Sequence, residues 1–353
     1  MADKMLHAIV NRLAAGHSLE RSQWRYLLTL RDDDDKEFLR RSAADIAVSH
    51  FGKGIYVRAL VEISSYCRNN CNYCGIRCSN KSASRYRLTK EQILNCCKEG
   101  DMMGFNTFVL QGGEDPIQDN EWIADVVKSI HAEFPDKAIT LSVGERGYDA
   151  YRAFREAGAC RYLMRHETRD EAHYARLHPA NMNASSRRNA LLQLKELGYQ
   201  VGSGMMIGSP YQTIDNLIDD FMFLDELQPH MIGIGPFIPA QNTPFEYFKS
   251  GSVEFTILSV SLLRIRFPNA LIPATTALAT LHPQGRLMAI LAGANVVMPN
   301  LSPMDVREKY AIYDNKKSNG NESAQQLKGL ENELAGIGYY VDYSRGDYVE
   351  NKK

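Results

Sequence analysis

From residue 57 almost to residue 300, short apolar runs alternate with amphipathic stretches of helical period. Such alternation is the mark of strands interleaved with helices. The apolar runs predict strands over 58–63, 106–111, 138–142, 161–165, 201–206, 231–235, 270–274 and 294–298. Between them the spacing predicts helices over 89–103, 119–134, 148–158, 186–198, 213–227, 253–266 and 283–292. Thr89 and Gln92 open the first of these helices as a capping box, each side chain satisfying an amide the other leaves bare. Upstream, residues 1–50 read as a helical prefix in which Leu13, Leu19, Trp24, Leu27 and Leu28 recur at helical spacing. Downstream, residues 314–353 open on the polar run DNKKSNGNES, then predict a helix from Ala324 to Ala335 and a strand around Tyr339 to Val341, an extension packed on the outside or bottom of the body.

Eight strands alternating with helices in roughly 240 residues match a closed parallel barrel. The expected fold is α/β, a (βα)8 TIM-type barrel over 51–313 with an N-terminal helical extension and a short C-terminal one; an open doubly wound sheet is the alternative. Barrels of this kind place their chemistry on the loops after the strand C-termini, so those loops carry the candidate residues.

Composition is ordinary for a globular chain of 353 residues, 44% hydrophobic and 24% charged. A net charge of -1 supplies no field for nucleic acid or an anionic membrane surface, so neither is expected as a partner. The acidic run from Asp32 to Asp35 reads as a solvated helix start. The N-terminal stretch lacks the apolar core of a signal peptide and no run is long enough to span a bilayer, which points to the cytoplasm. Seven cysteines are too few for a disulfide scaffold in so long a chain, and four of them fall between Cys67 and Cys78.

The segment EISSYCRNNCNYCGIRCSN follows the first predicted strand and sets Cys67, Cys71 and Cys74 in CxxxCxxC spacing. One loop can wrap three thiolates around one cluster at that spacing. A 4Fe-4S cubane held by three cysteines keeps one iron free for another ligand. Cys78 stands four residues on, and its recruitment would instead close a zinc site or an electron-transfer cluster. Cys96 and Cys97 sit mid-helix, pointing about 100° apart, and read as buried structural residues, as does Cys160. After the second strand, VLQGGEDP offers two glycines for close backbone approach and the carboxylate of Glu114, which could also be a turn-forming acid. The fourth strand ends RYLMRHET, placing Arg165 and Glu167 at the barrel mouth, where such pairs orient ligands; His166 reads as structural. Thr275 and Thr276 read equally as strand residues or as hydroxyls for a small polar ligand.

CxxxCxYC after a first barrel strand resembles the radical S-adenosylmethionine (SAM) superfamily. That resemblance implies a 4Fe-4S cluster on Cys67, Cys71 and Cys74 as the catalytic and metal-binding residues, with SAM on the open iron, Tyr73 beside the adenine and Glu114 on the SAM amino group. Its reaction is one-electron cleavage of SAM to methionine and a 5'-deoxyadenosyl radical. Together with these, TLSVGE, YLMRHET, LKELGYQVGSGMMIGSPYQT, GIGPFIP, IPATTALAT and GANVVMPNLSP look like the HydE family, radical SAM maturases of FeFe-hydrogenase, from about residue 57 to 313. The likeness implies that Glu167 and Arg187 hold the carboxylate and ribose region of SAM, with Ser142 close by. It also implies that Thr140, Arg165, Thr275, Thr276, Met298 and Tyr310 line an internal substrate cavity. The implied substrate is a small organometallic or sulfur-containing molecule, and the implied partners are other hydrogenase maturation proteins. Many family members carry a second cluster near the C-terminus; residues 305–353 hold no cysteine, so none is expected here. A radical mutase resembling methylornithine synthase, a sulfur-inserting enzyme resembling biotin synthase and a plain iron-sulfur electron carrier are the alternatives.

Overall fold

The computed structural model describes residues 4–318 and 320–350; residues 1–3 of the expected prefix, and 319 and 351–353 of the expected extension, lie outside the described residues. Parallel strands Ala59–Ser64, Thr107–Gly112, Ala138–Ser142, Arg161–Leu163, Gln200–Ser203 and Met231–Ile232 form one sheet in chain order. A helix follows each of the first five, so the fold is α/β with a parallel sheet. Beyond Ile232 the strands shorten. A bridge joins Met231 to Leu271, another joins Pro273 to Val296, and a third joins Leu60 to Asn300. Val296–Val297 also pairs with Gly54–Val57.

Several predicted strands are divided, for local reasons. The run 201–206 breaks at Gly204, whose φ of +154 and open α-carbon let it meet the Gly233 carbonyl; a Cβ there would lie 2.0 Å from that oxygen. The run 231–235 is likewise split into Met231–Ile232 and Gly235–Pro236. The predicted strand 270–274 makes bridges at Leu271 and Pro273 but no ladder, since proline has no amide to donate. Its end continues into a helix the pattern did not announce, Thr276–Leu281, and the predicted helix 283–292 is the short turn pair Gly285–Ile290. A helix at Glu171–Leu177, capped by Asp170, was also not foreseen.

The prefix is helical as expected, in Lys4–Ala14, Arg21–Leu28 and Asp33–Phe51. Asp32 caps the third, accepting from the amides of Asp34 and Asp35, while Asp33 to Asp35 fill its first turn at the positive end of the helix dipole. This helix lies against Val253–Arg266, which is buried nearly throughout because sheet and prefix cover opposite faces. The Trp24 ring packs tilted against Phe221 with centroids 4.7 Å apart, and Arg21 and Arg25 pair with Asp215 and Asp219, tying the second prefix helix to Ile214–Leu227. No helix among the described residues is long and apolar enough to cross a membrane.

The C-terminal segment behaves as expected at its end. Leu327–Gly336 is helical and Tyr340–Asp342 pairs with Gly54–Val57. Beyond it, the Arg345 carbonyl accepts from Thr107 and Arg161, and Asp347 pairs with the fully buried Arg161, so the tail closes the N-terminal end of the sheet. Its beginning departs from the expectation of an external position. Lys316 turns inward and joins the wall of the central cavity.

Candidate active site

The cysteine loop follows Ala59–Ser64 directly and is held by backbone bonds to three distant segments. The Arg68 amide donates to the Glu114 carbonyl at 2.9 Å, Asn72 to Leu177 at 2.8 Å and Gly75 to Ile312 at 2.9 Å. Arg85 fixes it from within: its guanidinium donates to the carbonyls of Ser65, Ile76, Arg77 and Asn80. Gly113 must be glycine, because a Cβ would lie 2.2 Å from the Tyr66 oxygen and 2.7 Å from Cys67 Cβ. The second strand's loop is therefore pressed against the first.

Cys67, Cys71 and Cys74 are half-buried free thiols on the wall of one cavity of about 340 Å3. Burial pushes the thiols up, Cys74 to about 12 and Cys71 further, and the neighbouring sulfurs add repulsion. Thiols raised in this way give up their protons when metal binds. Among the described residues no three His, Cys, Asp or Glu side chains converge as a single ion would require. A four-iron cubane sets each thiolate on a separate iron and makes no such demand. Cys78 is exposed, its amide donating to Asn69. Cys96 and Cys97 are buried in Lys90–Met102, and Cys160 is half-buried with its thiol toward the Ile139 carbonyl.

The same cavity is lined by Tyr73, Glu114, Ser142, Arg165, Glu167, Arg187, and by Thr275, Thr276, Met298 and Tyr310. Thr140 is the exception. It lies on the same strand face as Ser142 but one pleat deeper, buried beneath the lining, with its hydroxyl unpartnered among the described residues. His166, read as structural, is fully buried between Ser203 and Asp220.

The acidic and basic groups form a chain. Glu114 takes Arg68 on one oxygen (2.9 Å) and the Glu145 amide on the other (2.9 Å). Glu145 in turn holds Arg187 Nε at 2.7 Å and Ser186 at 3.0 Å. Glu167 adopts a left-handed φ of +65, which costs a non-glycine residue on the order of 1 kcal/mol. Its amide donates to the Gly204 carbonyl at 3.1 Å and its Oε1 accepts from Arg165 at 3.1 Å. Its Oε2 is buried and, among the described residues, has no hydrogen-bond partner, so it can accept from a group in the cavity.

Sequence reasoning missed Arg85, Glu145, His178, Glu62 and Lys316. Glu145 could have been found, since it closes the strand-end motif TLSVGE. His178 caps Glu171–Leu177 and meets the Tyr73 hydroxyl at 3.2 Å through Nε2, while its Nδ1 lies 3.1 Å from the Tyr174 carbonyl. Burial, with the Arg187 charge, holds His178 down at about 3. The neutral ring therefore donates to Tyr174 and accepts from Tyr73. Since the unfolded histidine titrates near 6.5, the unfolded chain takes up this proton first and stability should fall as pH drops from about 6.5 toward 3. Thermal melts of His178→Gln across that window should show a shallower acid limb than the parent; identical slopes would refute the assignment.

A model of the radical SAM superfamily matches residues 61–224. The [FeFe] hydrogenase maturase subunit HydE of Thermotoga maritima is 44% identical over 289 residues, 82% of either chain. The 3-methylornithine synthase of Methanosarcina acetivorans is 28% identical over 96% of this chain and 95% of its own. Among solved structures, methylornithine synthase (PylB) superposes with a TM-score of 0.84 at 28% identity, covering 95% of this chain and 97% of its own. HydG, a maturase of the [FeFe]-hydrogenase, reaches 0.80 over 97% of this chain and 76% of its own, but at 22% identity it speaks for the fold alone. With cluster loop, strand-end carboxylates and a relative of this identity in agreement, the chain belongs to the radical SAM superfamily and, within it, to the HydE family.

Proposed function

We propose that this chain cleaves SAM reductively and directs the radical at a sulfur of the iron-carbonyl-cyanide precursor of the FeFe-hydrogenase H-cluster, delivered by a partner maturase in the cytoplasm. The observation that carries this is the single cavity shared by the three cysteines, the unpaired Glu167 carboxylate oxygen and the polar groups of the later strand ends. The supporting architecture is a (βα)8 barrel over 51–313, a reading favoured by the bridges at Leu271, Pro273 and Asn300 that link its last strands back to its first. Residues 1–50 and 314–353 are its extensions.

Cys67, Cys71 and Cys74 would hold three irons of the cluster. When bound, that cluster supplies the electron that splits SAM into methionine and a 5'-deoxyadenosyl radical. Glu114 would accept from the SAM ammonium, Arg187 would hold its carboxylate, Glu167 Oε2 would accept from the ribose, and Tyr73 and Ser142 would flank the nucleoside. Leu163, Met164, Met206, Phe237 and Ile238 give much of the remaining lining an apolar surface that keeps water from the reacting atoms. Arg165, Thr275, Thr276, Met298 and Tyr310 would face the substrate.

Anaerobically reconstituted protein with SAM and a strong reductant should release 5'-deoxyadenosine, and added to a hydrogenase lacking this maturase it should restore activity. Glu167→Ala should lower both by at least tenfold; restoration at full rate would remove Glu167 from the site. The likeness to methylornithine synthase along nearly the whole chain favours a mutase as the second reading. Formation of 3-methylornithine without hydrogenase activation would select it.

A further inference from the structure

Arg77 lies in the cysteine loop three residues beyond Cys74 and is buried, with 7% of its surface exposed. Its place there is fixed from two directions. Its amide donates to the Cys74 carbonyl at 3.1 Å, and its Nε donates at 2.6 Å to Oδ1 of Asn70, the residue before Cys71. The same Asn70 oxygen accepts from the amide and the hydroxyl of Ser79, so one side chain ties the guanidinium to the turn that follows the cysteines.

A buried guanidinium is costly unless it is paired with an acid or surrounded by acceptors. The other arginines of this region meet that demand. Arg68 has Glu114 and Arg87 has Asp115, while Arg85 spans the carbonyls of Ser65, Ile76, Arg77 and Asn80. On the far side of the molecule the fully buried Arg264 donates to the carbonyls of Gly293, Phe267 and Pro268 and to the Asn295 side chain. Among the described residues the Arg77 side chain makes one hydrogen bond, to a neutral amide oxygen, and pairs with no carboxylate. Burial works against its charge, and the neighbours that favour it are Cys71, Cys78 and Cys74. The protein thus buries a cation without an acid beside it, and places sulfurs where the acid would be.

We infer that the Arg77 guanidinium supplies the counter-charge of the iron-sulfur cluster proposed above for Cys67, Cys71 and Cys74, and raises its reduction potential. Reduction adds one electron, taken from a one-electron donor of low potential, and forms or breaks no bond to the protein. Net charge is one of the quantities that set the potential of such a cluster. A cation held nearby favours the reduced form, which is the more negative by one charge, and burial keeps water from screening it. Arg77 is therefore a positioning residue that acts on the electron through the cluster, while its bond to Asn70 holds the charge in place.

The test is a redox titration of cluster-loaded protein, followed by electron paramagnetic resonance under argon and without SAM, so that the electron stays on the cluster. Arg77→Gln keeps an N–H donor for Asn70 and loses the charge; Arg77→Met loses both; Arg77→Lys keeps the charge. At a fixed ambient potential, Arg77→Gln and Arg77→Met should each lower the ratio of reduced to oxidised cluster about tenfold, equivalent to about 59 mV for a one-electron couple. Arg77→Lys should stay within threefold of the parent. The ratio is read on whatever cluster assembles, so a variant that loads poorly still reports its potential. A ratio in Arg77→Gln within threefold of the parent, or one in Arg77→Lys that falls as far as in Arg77→Gln, overturns the assignment, because a residue that only ties the loop together would be rescued by the donor and not by the charge. A parent that titrates normally while its variants do not move sinks the charge assignment alone, and a parent that assembles no four-iron cluster sinks the radical reading and this assignment with it.

Discussion

Cys71→Ala should abolish both cluster assembly and SAM cleavage. On the proposed assignment each of the three thiolates holds one iron, and among the described residues no other cysteine lines the cavity to take over. Cys78 is exposed, with its backbone tied to Asn69 rather than presented inward. After anaerobic reconstitution, bound iron should fall from about four per chain to below about one. 5'-Deoxyadenosine should fall at least a thousandfold, to the limit of chromatography. An intact cluster in Cys71→Ala that disappears only in Cys71→Ala/Cys78→Ala would make Cys78 a ligand and overturn the three-cysteine assignment.

Arg85→Met should be the most damaging change outside the ligands themselves. Its guanidinium satisfies four carbonyls of the segment that carries the cluster, and methionine of similar length can satisfy none. Hydrogen bonds from a charged donor are worth about 1.5–3 kcal/mol each, with partial rescue by water at this half-buried position. A net loss of about 3 kcal/mol would lower the melting temperature of a chain this long by about 4 °C. The larger effect should be on loading: iron incorporation reduced severalfold, with SAM cleavage reduced in proportion to it. A variant that melts lower yet loads iron fully would show that Arg85 serves the fold and not the loop.

What the sequence made legible followed from how local the cause was. The strands Ala59–Ser64, Thr107–Gly112 and Ala138–Ser142 are long buried apolar runs, and they stand within a residue or so of where periodicity put them. Periodicity lost its grip where one residue sets the backbone, as at Gly204 and Pro273, and where a helix is only six residues long, as at Thr276–Leu281. The cysteine loop was legible because Cys67, Cys71 and Cys74 lie within one short segment, and the structure sets all three on one cavity wall. The Glu62 and Lys316 pair could not, because the partners are 254 positions apart and neither is unusual alone. Thr140 shows the converse limit: it shares a strand face with Ser142, but only the three-dimensional depth of the cavity decides which residue on that face reaches the lining.

The unequal length of the strands has a mechanical consequence. Cys67, Glu114, Ser142 and Glu167 stand at the ends of the chain's better-laddered strands or in the loops just beyond them, where many backbone bonds must open together before anything shifts. Thr275, Thr276 and Met298 stand where the strands are two residues long or reduced to single bridges, and there less has to break for the wall to move. On the proposed assignment the molecule resembles a vice with one fixed jaw and one adjustable jaw, the cluster side carrying the denser ladder and the substrate side the sparser one.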